Sequence, residues 1–270
     1  MSGPEYVLGS DEEEIARLGT QAAALAEPTA LLLQRGGIRA GMHVMDLGCG
    51  PGNVTFQLAE IVGPDGSVLG VDQDSAQLAA AETRRSELAL PNVAFRKGDA
   101  RTFTHGQEFD AIATRLLLFH LPDAGAVVKH HVRALRPGGT FVAVDYDMGG
   151  VRVMPPVELV SRARDWIEAG FRYAQADPFV GMRLPVFLKQ AGLHDVGSLG
   201  IQVFWPPENP NVPLMTDVVR ALAPAIVASG AATEDELDLA TLEQRVREAL
   251  TAAGAVWTGP TVVGAWGRRA

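Results

Sequence analysis

The chain is poor in cysteine, in positive charge and in long apolar runs, and each shortage removes a class of protein. One cysteine, Cys49, in 270 residues leaves no disulfide framework and no thiolate zinc cluster, and it fits a reducing compartment. Lys and Arg number 23 against 32 Asp and Glu, a formal net charge of -9. A phosphate backbone is therefore an unfavourable partner, because nucleic-acid affinity rests on cationic side chains that displace counterions. No apolar run approaches the length of a membrane span, and the opening MSGPEYVLGSDEEE has neither the basic start nor the apolar stretch of a secretory leader. A soluble, cytoplasmic chain with no nucleic-acid or membrane partner is expected. What the chain does have is length: 270 residues bury a large core without staples, and one domain with an elaboration is the economical reading.

Ser10 with Glu13 three residues on is a capping-box signature, and Ile15, Leu18, Ala22 and Leu25 recur at helical spacing, so a helix is expected to open the chain. Pro28 should end it and start a second helix that stops at Gly36 and Gly37. The pattern then changes. HVMDLG, SVLGVD, NVAFRKGD, FDAIATRLL and TFVAVDYD are short apolar runs separated by helix-compatible stretches that begin near Gly52, Asp74 and Asp123. That alternation predicts parallel strands with crossover helices. After Asp147 a proline-punctuated helical region runs to about Gly192, DVGSLGIQVFW reads as one strand, helical segments follow Pro213 and Thr233, and VVGAWGRR closes the chain as a strand.

Gly48, Gly50 and Gly52 fall on the turn between the first strand and its helix, in VMDLGCGPGN. Glycines let the backbone turn sharply and approach a ligand, and the following helix offers unpaired N–H groups at its positive end. A dinucleotide fingerprint would carry Gly or Ala at the sixth position, where this chain has Asn53. Asp46, two residues ahead of the first glycine, has no use in a dinucleotide site but suits a cationic ligand.

With these residues the chain resembles the class I S-adenosylmethionine-dependent methyltransferases, particularly their UbiE-like small-molecule branch. DLGCGPGN is similar to that family's motif I, VDQD to motif II, GDA to motif III, and FDAIATRLLLFHLPD with LRPGG to motifs IV and V. The likeness covers roughly residues 38 to 147, with weaker echoes in YVLG and DPFVGMRLPVFLKQAGL. It implies an α/β fold: a Rossmann-like, doubly wound, seven-stranded and mostly parallel sheet with helices on both faces, plus N-terminal helices and a helical lid. The expected divisions are a helical cap over 1–37, a cofactor-binding core over 38–147, a lid or acceptor region over 148–192 and sheet-completing strands and helices over 193–270.

The resemblance also implies the cofactor, S-adenosylmethionine, leaving as S-adenosylhomocysteine, and assigns its contacts. Asp72 would accept from both ribose hydroxyls, Gln73 would lie against the adenine, and Asp99 would bond the adenine amino group with the Ala100 backbone nearby. Asp46, Gly48, Cys49 and Gly50 would form the cradle, with Cys49 filling tight space rather than acting as a nucleophile. Arg115 would line the methionine end, and Tyr6 and Gln21 would close over the cofactor. Acceptor chemistry needs positioning first, since the sulfonium is already activated, and needs a base only if the acceptor is protonated. His120 in FHLP is the candidate base, and Asp145 and Tyr146 share its rim. Trp166, Phe171 and Tyr173 are candidate pocket lining or core; His130 and His131 are expected to be solvated, and His43, His105 and His194 to be edge or loop residues.

Absences narrow the reaction. The Asn/Asp-Pro-Pro-Tyr/Phe signature of amide and adenine N-methyltransferases is missing, and Arg115 stands where the catechol type places metal-binding carboxylates, so no metal is expected. The expected enzyme transfers a methyl group to a small molecule or modified peptide, O-methylation first, in a setting such as natural product biosynthesis; whether it works as a homodimer is left open. Two alternatives remain: a protein that binds the same cofactor without methylating, and an NAD-dependent oxidoreductase. The latter is opposed by the residues four after Tyr6, Tyr146 and Tyr173, which are Ser10, Gly150 and Asp177 rather than lysine.

Overall fold

In the computed structural model residues 25–104, 106 and 108–270 are described. The expected helix from Ser10 and the candidates Tyr6, Gln21 and His105 lie outside them. The first described helix, α1 (Ala26–Arg35), takes Pro28 into its first turn, where the missing N–H has no partner to lose. Alternation of strand and helix follows: β1 (His43–Leu47), α2 (Asn53–Val62), β2 (Ser67–Asp72), α3 (Ser75–Glu87), β3 (Val93–Lys97), β4 (Phe109–Arg115), α4 (Ala124–His131) and β5 (Leu135–Asp147). β1 pairs in parallel with β2 and β4, β2 with β3, and β4 with β5. LRPGG, ahead of the run expected as the fifth strand, belongs to β5, whose register against β4 shifts between Phe109 and Ala111.

The rest of the chain comprises β6 (Arg152–Met154), α5 (Glu158–Tyr173), α6 (Val180–Gln190), β7 (His194–Ile201), β8 (Phe204–Trp205), α7 (Pro213–Ala228), α8 (Glu234–Leu237), α9 (Leu242–Ala253), β9 (Val256–Thr258) and β10 (Thr261–Arg268). Seven strands form one sheet in the order β3-β2-β1-β4-β5-β10-β7, as the doubly wound expectation requires, and β6, β9 and β8 form a second. The order of the large sheet reverses between β1 and β4. In an open α/β sheet the crevice outside the carboxyl ends of such strands is where ligands bind. Val44, Met45 and Leu47 of β1 and Ala111, Ile112 and Ala113 of β4 are all buried, the continuous apolar reading of strands covered on both faces. Among the described residues no helix is long and apolar enough to cross a membrane.

The chain groups into two compact units. The larger holds the described residues up to Asp145 with Val180–Gly200 and Val263–Ala270; the smaller holds Tyr146–Phe179 and Ile201–Val262. DVGSLGIQVFW, expected as one strand, is divided between them: β7 joins the large sheet and β8 pairs with β9 in the small one. Gln202, at the break, has its side chain engaged, with Nε2 donating to the carbonyls of Gly150 and Gly259, each at 2.8 Å. In the smaller unit Val160, Ala163, Trp166, Ile167, Gly170 and Phe171 make one buried stripe of α5. Gly170 lets α7 come close, because a Cβ there would lie 3.0 Å from Ile226 and 3.2 Å from Leu222. Trp166 and Phe171 are thus core, and Tyr173, at 55% exposure, points away from it.

Candidate functional site

The loop after β1 is built on three left-handed residues: Gly48 at φ 73°, Gly50 at φ 51° and Gly52 at φ 84°. They are not equivalent. A Cβ on Gly48 would lie 2.9 Å from Leu117 and one on Gly52 2.8 Å from the Phe56 ring, whereas one on Gly50 would meet nothing within 4 Å. Gly48 and Gly52 are therefore demanded by packing, and Gly50 borders open space. The Gly50 N–H donates to Asp72 Oδ2 at 2.8 Å and the Asp74 N–H to Asp72 Oδ1 at 2.9 Å. Asp74, not Asp72, caps α3, accepting from the amides of Ala76 and Gln77 at 2.7 and 3.3 Å. A carboxylate has about four acceptor positions, and with the Gln73 amide also turned towards it Asp72 keeps some acceptor capacity for a ligand. Burial pushes its pKa up, and the bonds from Asp74 and Gly50 oppose that shift. Gln73 is exposed between these two aspartates.

Asp46 lies in the sheet behind the loop, 1% exposed, and accepts from the Thr55 hydroxyl at 2.6 Å. Burial pushes its carboxyl up to about 6; the Thr55 bond and the charge of Arg115 pull it back. Arg115, at the end of β4, donates to Thr29 Oγ1 on α1 at 3.3 Å. Cys49 is buried with its pKa pushed far up by desolvation and by the nearby Asp46 and Asp72 charges. A thiol held protonated is no nucleophile. Its Sγ would stand 3.0 Å from a Cβ on Gly70, so it fills space against β2.

Asp99, past β3, is half-exposed and paired with Arg101, whose Nε stands 2.9 and 3.1 Å from its two oxygens; that pairing holds its pKa below the usual range. Ala100 is also half-exposed. The histidines expected in solvent are here instead. His131, 2% exposed, places Nε2 2.7 Å from the Ala100 carbonyl, and His130 places Nε2 3.0 Å from the Phe103 carbonyl. The expectation gave both rings to solvent because nothing in the helix's own sequence names a partner for either, whereas the loop after β3 wraps the end of α4 and meets both.

The turn after β4 carries His120, half-exposed in a short 3-10 helix (Leu118–His120), its ring 3.7 Å from that of Phe119. Asp145, expected on the acceptor rim, is 1% exposed and accepts from the Phe119 N–H at 3.2 Å. Its carboxylate shapes that turn from beneath. Tyr146 is half-buried next to it in the chain. His43 and His194 are exposed strand residues beside Ser67 and Asp195, as expected. Sequence reasoning missed Thr55, His131 and Arg84, whose Nη1 reaches the Pro51 carbonyl at 3.2 Å and Asn53 Oδ1 at 2.7 Å. Thr55 had a signal, being a hydroxyl in the first turn after the glycine loop; the other two act from helices 31 or more positions away in sequence.

Residues 38–175 match a family described as a methyltransferase domain. Over 118 residues the chain is 36% identical to a demethylmenaquinone methyltransferase of Lactococcus lactis, covering 43% of this chain and 46% of that protein. Over 169 residues it is 31% identical to a nocamycin O-methyltransferase of Saccharothrix syringae, covering 60% and 56% respectively. The chain thus spans about half the length of these curated relatives. The solved structure of YcgJ from Bacillus subtilis superposes with a TM-score of 0.58 at 16% identity, covering 91% of this chain and 99% of that one, which is a likeness of fold.

Proposed function

The chain belongs to the methyltransferase domain family, and on that premise we propose that it is an S-adenosylmethionine-dependent methyltransferase acting on a small molecule at oxygen. The observation that carries this reading is the pairing at the glycine loop. Gly50 borders open space in a conformation that favours glycine, and its amide is tied to a half-buried carboxylate with acceptor capacity to spare. A nucleoside with two adjacent hydroxyls fits that pair. Charge-assisted bonds to Asp72 would hold the ribose, and Gly50 would admit the chain that leads from the ribose to sulfur.

When bound, the cofactor supplies a methyl group on a cationic sulfur that needs no further activation. The work left to the chain is alignment, worth up to about 7–11 kcal/mol when a two-molecule reaction becomes an oriented one. Asp46 contributes negative charge behind the loop, where a cationic ligand favours its ionised form. Gln73, Asp99 and Ala100 would receive the adenine, and Arg115 the methionine carboxylate. His120, half-exposed on the turn after β4, would take the proton of a hydroxyl acceptor; Asp145 would act by holding that turn, with Tyr146 beside it. Cys49 stays a packing residue. Oxygen is favoured because the nocamycin O-methyltransferase match runs over 169 residues, against 118 for the quinone enzyme.

Calorimetric titration with S-adenosylmethionine and, separately, NADH tests the cofactor. Micromolar binding of the first alone is expected; binding of NADH alone, or of neither, overturns the reading. Mass spectrometry of phenol and carboxylic acid panels should then find products heavier by one methyl group, and products methylated at carbon would replace oxygen as the acceptor atom. Binding without turnover on any panel would favour a cofactor-binding protein of another activity.

A further inference from the structure

We infer that His131 is a positioning residue for the adenine end of the bound cofactor, acting through the Ala100 carbonyl. The inference rests on the proposed nucleoside site at Gly50 and Asp72. A carbonyl only accepts, so the 2.7 Å contact requires the proton on Nε2 of His131. The ring is 2% exposed, so this bond is sheltered from competing water.

The segment it holds is anchored at both ends. At its start the Gly98 N–H donates to the Asp72 carbonyl at 2.8 Å, and Phe103 packs so tightly on Gly98 that a Cβ there would lie 2.2 Å from the ring. At its end the amides of Thr102 and Phe103 turn back onto the Asp99 carbonyl at 3.0 and 2.7 Å, and His130 bonds Phe103. Asp99 and Ala100 are the half-exposed residues between those anchors. Gly50, Asp72 and Asp99 stand at the carboxyl ends of β1, β2 and β3, consecutive neighbours in the sheet about 4.8 Å apart. A nucleoside laid along that edge with its ribose on Asp72 brings its base to Asp99 and Ala100.

With the Ala100 carbonyl turned to His131, the loop offers a base the Ala100 N–H, a donor, beside the Asp99 carboxylate, an acceptor on which the base would displace part of the Arg101 pairing, made through that residue's backbone N–H and guanidinium. Adenine carries the matching donor and acceptor side by side, an amino group beside a bare ring nitrogen. Hypoxanthine, with a carbonyl beside a protonated nitrogen, reverses both. His131 therefore sets how sharply the loop tells these bases apart.

Calorimetry with S-adenosylhomocysteine and its deaminated analogue S-inosylhomocysteine tests this on the native protein, His131→Asn and His131→Gln. The native protein should prefer the adenine ligand. Asparagine, whose amide falls short of Ala100, should weaken S-adenosylhomocysteine about tenfold and narrow the preference. Glutamine, whose amide reaches the place of Nε2, should restore both to within about threefold. Unchanged binding in the asparagine variant, or an equal loss for both ligands, overturns the inference. If that variant does not fold, hydrogen exchange on the native protein decides: S-adenosylhomocysteine should protect residues 99–103 more than the inosine analogue does, and equal protection overturns it. A native protein that binds no S-adenosylhomocysteine overturns the cofactor reading and this inference with it.

Discussion

Asp46 is a carboxyl whose chemistry the fold changes strongly. With its carboxyl pushed up to about 6 by burial, its ionised form is disfavoured by on the order of 3 kcal/mol relative to the unfolded chain. The native state takes up this proton more readily than the unfolded one, so the contribution favours folding fully below about pH 4 and is withdrawn as the pH rises through about 6. Asp46→Asn should therefore melt at a higher temperature than the native protein at pH 8, with the gap closing by pH 4; a gap independent of pH would show that Asp46 is not strained by charge. The same substitution should weaken S-adenosylmethionine more than the uncharged-sulfur product, because only the former relieves the buried carboxylate. Asp72 is the complementary case. Its two backbone donors tie it down and leave acceptor positions for a ligand, so Asp72→Ala should raise the cofactor Kd about tenfold to a hundredfold in calorimetry, and an unchanged Kd would remove it from the ribose.

At the scale of elements, the glycine loop offers a test with its own control. Gly50 at φ 51° and Gly63 at φ 68° both border open space, one before α2 and the other after it. Alanine should cost about 1–2 kcal/mol of stability at Gly50 and about 1–3 kcal/mol at Gly63, whose ψ of -171° puts it in a region almost confined to glycine, but only Gly50→Ala should raise the cofactor Kd, by tenfold or more, since its new methyl group enters the cradle. Equal binding by the two variants would show that the ligand lies elsewhere. The five parallel strands of the core were legible because β1, β2 and β4 are buried on both faces and read as unbroken apolar runs, and their loops announced themselves by glycine and aspartate. DVGSLGIQVFW was not legible as two strands, because β7 and β8 share one composition and are parted only by where the Gln202 amide finds its carbonyls. The roles of His131 and Arg84 were invisible for the same reason: each serves a loop far off in sequence, and no local period encodes such a pair. The start of α3 was legible at Asp74, whose carboxylate takes the two α3 amides and so leaves Asp72 to the glycine loop.

The whole molecule adds a field to these local effects. A formal charge of -9 surrounds a cradle that contains Asp46 and Asp72, while the cofactor carries one net positive charge and its product none. Long-range attraction raises the encounter rate of the cation and is screened by salt over a Debye length of about 8 Å at physiological strength. The attraction proposed between a bound cation and buried Asp46 would be screened far less. Raising NaCl from about 20 mM to about 500 mM should thus slow S-adenosylmethionine association a few-fold in stopped-flow measurements and leave S-adenosylhomocysteine association nearly unchanged. Dissociation rates should be much less sensitive, because they report the sheltered contacts. Equal salt effects on both ligands would mean that the acidic surface does not steer the cofactor and that discrimination between substrate and product resides in Asp46 and the loop alone. The same charge argues against a nucleic-acid acceptor, since an anionic surface gains nothing from counterion release.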